Sequence, residues 1–111
     1  MDNCIFCRIV NKEIAADIVY EDDSVLVIDD ISPKAPVHFL VIPKKHIRDL
    51  NEASAAETGL LFEAAKTVAG EKGIRQNGYR AVINCNEDGG QEVWHLHLHI
   101  LGGRKLVWPP G

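Results

Sequence analysis

The stretch Trp94-His95-Leu96-His97-Leu98-His99-Ile100-Leu101 decides how the chain folds and where its chemistry lies. Histidine alternates with an aliphatic residue three times in succession. Alternation is the period of a half-buried β-strand, so one face carries three imidazoles and the other presents Leu96, Leu98 and Ile100 to a core. Imidazole ionises near neutral pH, which opens the stripe to proton transfer, nucleophilic attack and metal ligation. Three readings follow. The histidines form a solvent-facing polar edge, which Ser, Thr or Lys would serve equally well. Alternatively, the His-x-His spacing aims two imidazoles at one catalytic metal, as in zinc hydrolases. In the third, one imidazole is a nucleophile whose neighbours fix its tautomer and move protons.

Working outward, the spacing predicts a single repeat-free α+β unit spanning residues 1–111. Ile5 to Val10 reads as a short helical turn and Asp17 to Glu21 as a strand. Asp22-Asp23 turns the chain into a second strand, Ser24 to Asp29, whose β-rich run is buried on both faces. Pro33 and Pro36 make Ile31 to Pro36 a loop, and His38 to Ile42 resumes as a strand. Ser54-Ala55-Ala56-Glu57 is a capping box that opens the one long helix, with Leu60, Leu61, Ala64 and Val68 as its apolar stripe and Gly73 as its stop. Tyr79 to Asn84 and Glu92 to Leu101 complete a five-stranded antiparallel sheet with the helix on one face.

Composition narrows the function. A net charge of -4 argues against a nucleic-acid backbone as partner, since such proteins carry a basic patch, while a local pocket can still bind a free nucleotide. The chain has no stretch of membrane-spanning length and no signal-peptide pattern, so we expect a cytoplasmic protein with no membrane partner. Cys4 and Cys7 are spaced C-x-x-C and Cys85 stands alone, which is no disulfide framework. The pair is half of a tetrahedral zinc site, a redox motif, or two reduced thiols packed as small hydrophobes.

Three blocks carry a more specific signal. The triad run is preceded by Gly89-Gly90-Gln91 and followed by Gly102-Gly103-Arg104; the chain ends Trp108-Pro109-Pro110-Gly111; and Asp30-Ile31-Ser32-Pro33-Lys34-Ala35-Pro36 leads into His38-Phe39-Leu40-Val41-Ile42-Pro43-Lys44-Lys45-His46. Together with Ile5-Phe6 they resemble the histidine triad family, and the ending is similar to its Hint branch of purine nucleotide-binding phosphoramidases. The resemblance implies hydrolysis of purine nucleoside 5′-phosphoramidates, with aminoacyl- or lysyl-adenylates as further substrates, through a covalent nucleotidyl-histidine. It favours the nucleophilic reading of the stripe. A non-catalytic nucleotide-binding scaffold and a zinc-dependent hydrolase with metal on His97 and His99 are the competing functions.

Residue by residue, the resemblance makes His97 the nucleophile, His99 a donor to a phosphoryl oxygen and His38 the fourth histidine of a proton relay. Asp30 matches a ribose-binding aspartate, and Ile5, Phe6, Ile9, Ile28 and Ile31 match the walls of a purine pocket. Asn84 falls where it can hydrogen-bond the phosphate or its leaving group, Gly90 and Gln91 belong to a turn whose backbone amides can approach phosphate, and Val93 is a further substrate-binding position. Glu92 stands where many relatives have a serine linked to protonating the departing amine. The resemblance also implies a structural zinc held by Cys4, Cys7, His46 and His95, no organic cofactor, and a symmetric homodimer in which the tail with Trp108 reaches the partner's active site.

Overall fold

The computed structural model describes residues 3–111. Five strands, β1 (Ile18–Glu21), β2 (Val25–Asp29), β3 (Val37–Pro43), β4 (Tyr79–Val82) and β5 (Leu98–Gly102), form one antiparallel sheet in the order β1-β2-β3-β5-β4. A short helix α1 (Ile5–Val10) precedes the sheet, and α2 (Ala55–Glu71) follows a 3-10 turn at Leu50–Glu52. The expected α+β class, with five antiparallel strands and one main helix, is the observed one. Among the described residues no helix is long and apolar enough to cross a membrane.

Both faces of the central strands are covered, which is why β2 and β3 read as apolar runs. Val25, Val27, Phe39, Val41, Leu98 and Ile100 pack with Leu61, Ala64, Ala65 and Val68 of α2. Leu26, Ile28, Leu40 and Ile42 pack with Phe6 and Ile9 of α1. Each large aliphatic side chain so buried contributes roughly 1.5–3 kcal/mol before chain entropy is set against it. The capping box at the start of α2 is complete: Glu57 N–H donates to Ser54 Oγ at 3.1 Å and Ser54 N–H to Glu57 Oε1 at 2.8 Å. Past its end, Gly73 takes φ +76°, a left-handed conformation that favours glycine. The helix stripe needs one correction. Leu60 is 48% exposed, and Ala65 and Ala69 join Leu61, Ala64 and Val68 against the sheet. At about 100° per residue the buried set is centred near Leu61 and Val68, and Leu60 falls about 100° to one side of that centre.

A second correction concerns the triad. The strand expected over Glu92 to Leu101 begins only at Leu98, so His95 and His97 lie on an irregular approach to β5. With Val41 opposite Leu98, continuing the register would set Leu96 against Pro43, which has no N–H to offer the ladder. Leu96 N–H instead donates to the Ile47 carbonyl at 2.7 Å. Leu96, Leu98 and Ile100 still face the core under α2, at 1%, 0% and 0% exposure, but His95 and His97 on the other side are buried as well, at 0% and 7%. β4 likewise ends at Val82, short of the expected Asn84.

Candidate functional site

The register that pairs His38 with Leu101 and Leu40 with His99 puts His38, Leu40 and His99 on one face of neighbouring strands, the face that α1 shares. His38 Nε2 lies 3.0 Å from His99 Nδ1. Lys34 N–H donates to His38 Nδ1 at 3.0 Å, which assigns the His38 hydrogen to Nε2. His38 therefore donates to His99 Nδ1, and His99 carries its own hydrogen on Nε2. His97 Nδ1–H donates to the His95 carbonyl at 2.8 Å, leaving a lone pair on His97 Nε2. The rings of His97 and His99 sit 5.0 Å apart, and Phe6 packs edge-on against His97, also at 5.0 Å between centroids.

This network weighs against metal on His97 and His99. The Nδ1 lone pair of His99 is engaged by His38, and its other nitrogen bears hydrogen, so no lone pair on His99 remains for an ion. Asp30, His38 and His99 cluster closely enough to be considered as ligands, but the same tautomer leaves His38 Nε2 a donor. Asp30 Oδ2 lies 3.5 Å from that nitrogen, and its Oδ1 accepts from Ser32 N–H at 2.7 Å.

Burial lowers the pKa of all three rings. His99 falls to about 4, chiefly by desolvation, with His97 and His38 adding to the effect. Desolvation likewise pulls His97 and His38 below the usual histidine range, against a smaller upward pull from Asp30 and, at His97, from the His95 carbonyl. The proton relay implied by the resemblance therefore starts from uncharged rings at neutral pH. The three rings are neutral there, and they act as a lone pair and as N–H donors.

The rings line a cavity of about 380 Å³ with Phe6, Asp30, Asn84, Gly90, Glu92 and Val93, all singled out from sequence. Ser32, Lys34 and Leu40 also line it and were missed. Leu40 was legible, because it lies two residues beyond His38 on the same strand face. The other expected wall residues scatter. Ile9 and Ile28 are buried beneath the cavity, Ile31 stands 92% exposed beside Asp30, and Ile5 borders a neighbouring cleft.

The glycine turn departs from expectation as well. Gly90 N–H donates to the Glu87 carbonyl at 2.9 Å and Gln91 N–H to the Asn86 carbonyl at 3.0 Å, so both amides are engaged within the turn. Gln91 is a brace outside the cavity lining: buried, it donates through Nε2 to the carbonyls of Arg48 and Val93 and accepts from Asn86 N–H. Asn84 Nδ2 donates to the Gly89 carbonyl at 2.7 Å, which leaves its second amide hydrogen for a phosphoryl oxygen. A Cβ on Gly89 would lie 2.5 Å from the Cys85 carbonyl oxygen, a contact only glycine avoids.

A second cluster lies behind the triad. Cys4 and Cys7 come from α1 and its cap, His46 from the loop after β3, and His95 from the approach to β5. Cys4 Sγ is 3.3 Å and Cys7 Sγ 3.6 Å from His95 Nδ1, and Cys7 Sγ is 3.3 Å from His46 Nδ1. Tetrahedral zinc with ordinary bond lengths separates sulfur from nitrogen by roughly 3.5 Å, so the four donors fit it. His95 Nε2 donates to the Pro43 carbonyl at 2.8 Å, which turns the Nδ1 lone pair toward the thiols. Desolvation, reinforced by Cys4, pushes the Cys7 thiol up to about 11.

Comparison with known proteins agrees with this geometry. A family model described as the HIT domain matches residues 11–106. A HIT-like protein from Synechococcus elongatus is 52% identical over 113 residues, covering 99% of this chain and 98% of its own length. The crystal structure of a HIT family hydrolase from Legionella pneumophila is similar at 48% identity with a TM-score of 0.93, covering 98% of this chain and all of that one. A histidine triad protein from Clostridium difficile is similar at 49% identity and a TM-score of 0.90, covering 96% of this chain and 95% of that one. With its histidine motif, its sheet order and these relatives in agreement, the chain belongs to the HIT domain family and has the fold of a HIT family hydrolase.

Proposed function

We propose that this protein is a Hint-type hydrolase that cleaves purine nucleoside 5′-phosphoramidates to the nucleoside monophosphate and an amine. The observation that carries the reading is the neutral His97 ring, anchored through Nδ1 to the His95 carbonyl with Nε2 free at a cavity wall. In the first step His97 Nε2 bonds to phosphorus as the P–N bond breaks. The bond pair leaves with nitrogen, which takes one proton from solvent at the open mouth of the cavity. Water then attacks phosphorus, the P–N bond to His97 breaks, and the proton released from water balances the one consumed. The His99 Nε2–H, aligned by the hydrogen bond from His38, stabilises the charge that grows on a phosphoryl oxygen. Asp30 accepts from the ribose hydroxyls, Asn84 contacts the phosphate, and Phe6 with Leu40 bounds the purine.

Turnover of adenosine 5′-phosphoramidate to AMP and ammonia tests this reading. The pH profile has a predicted shape. His99 must keep its Nδ1 lone pair to accept from His38, and it loses that lone pair on protonation near pH 4. Initial rates should show no loss from pH 8 to 7, because burial holds the His97 ring below the usual histidine range, and should fall by about tenfold per pH unit on the acid side of the His99 pKa. A decline already under way at pH 7, in protein that circular dichroism reports as folded, would contradict it.

The Cys4, Cys7, His46 and His95 set would hold a zinc ion that supplies folding stability and no step of the reaction.

We further propose a homodimer. β4 is an edge strand with an unpaired side, and beside it Arg80 holds the tail through the Val107 carbonyl at 2.8 Å. Val107 and Trp108 are 73% and 81% exposed, and Leu60 and Phe62 are exposed on α2, surfaces that a two-fold interface would cover. Sedimentation at micromolar concentration should give a dimer, and removing residues 106–111 should alter turnover or substrate choice in a folded protein. A monomer with full activity after truncation would end the idea.

A further inference from the structure

Two charged side chains of the cavity have no part in the steps above, Lys34 and Glu92. Among the described residues neither forms an ion pair; Lys34 Nζ donates to the Ser32 carbonyl at 2.9 Å. The cavity therefore presents two carboxylates, Asp30 and Glu92, and one ammonium where an anionic phosphoryl group must sit. Asp30 is engaged by Ser32 N–H and faces His38, whereas Glu92 makes neither a hydrogen bond nor an ion pair among the described residues. Lys34 can offset the phosphoryl charge. An unpaired carboxylate beside it adds repulsion, unless the substrate brings a cation of its own.

The position of Glu92 indicates which part of the substrate that is. Glu92 and Val93 also border a second cleft, of about 440 Å³, whose walls include Arg48 and Trp94. Glu92 thus stands on the rim between two cavities. A substituent on phosphorus that leaves the catalytic cavity by this rim passes the carboxylate. Arg48 does not cancel it, since the guanidinium lies 4.6 Å over the Trp94 ring and its Nη1 is matched by Asp49 at 2.6 Å.

We propose that Glu92 selects the leaving group, favouring phosphoramidates whose departing amine carries a second, cationic amino group. This rests on the P–N hydrolysis argued above and specifies its substrate class. The second ammonium is a spectator: His97 forms its bond to phosphorus, the departing nitrogen takes the bond pair and one solvent proton, and the distal charge stays on Glu92 until the diamine leaves.

Three adenosine 5′-phosphoramidates of matched length test this: those of 1,4-diaminobutane, pentylamine and 4-aminobutanoate, whose far ends are cationic, neutral and anionic. The wild-type kcat/KM should be about fivefold higher for the first than for the second, and lower again by about as much for the third, the scale of an exposed ion pair. Glu92→Gln should bring the cationic-to-neutral ratio to within about twofold, and raising ionic strength tenfold should erode it in the wild type. A wild-type ratio near one, or a ratio unchanged in Glu92→Gln, would overturn the selection while leaving P–N hydrolysis standing. Failure to turn over any of the three would overturn both.

Discussion

Replacing His97 with alanine is expected to lower turnover of adenosine 5′-phosphoramidate by four orders of magnitude or more, on the order of the losses seen when a covalent nucleophile is deleted. No other imidazole in the cavity can take over. His99 has its lone pair engaged by His38, and His38 has its own engaged by Lys34 N–H, so His97 Nε2 is the one imidazole lone pair facing the substrate. AMP should still bind to the variant with an affinity within about tenfold of wild type, because the ribose and base contacts do not involve that ring. Calorimetric titration of AMP alongside steady-state rates checks both halves. Near-normal turnover in His97→Ala would remove the mechanism.

The second large effect is expected on stability. Chelating zinc at neutral pH, or making Cys7→Ser, should lower Tm by roughly 10–20 °C, several kcal/mol in a domain of this size. The four donors come from α1, the loop after β3 and the approach to β5, segments far apart in sequence whose mutual order the cluster fixes. Phe6 sits between the two cysteines and packs against both His95 and His97, so loosening α1 should also weaken AMP binding. Elemental analysis finding no zinc in protein purified without chelator, together with an unchanged Tm on chelation, would contradict this.

Much of the fold was legible because local signals agreed with each other. The capping box at Ser54, the stop at Gly73 and the prolines of the Asp30 to Pro36 loop each mark an element boundary by a local mechanism, and the structure follows them. The triad strand was overestimated because its length depends on a neighbour. Pro43, fifty residues away in the chain, ends the ladder, and no feature of the triad run itself signals that. The chemistry of the triad was legible as residue types and not as protonation. Only the pairing of β3 with β5 brings His38 to His99, and only the Lys34 amide assigns the tautomer that weighs against metal on His99. The glycine turn misled for a similar reason. Glycines admit a phosphate in principle, but here the amides of Gly90 and Gln91 close the turn on Glu87 and Asn86.

Trapping the covalent intermediate is the most direct examination of the chemistry. Protein mixed with excess adenosine 5′-phosphoramidate, quenched within milliseconds at alkaline pH and digested, should yield one adenylylated peptide, with the modification on His97 at Nε2, absent from His97→Ala and formed fast enough to account for turnover. An adenylyl group on another residue, or continued AMP production with no modified peptide in either protein, would contradict the account.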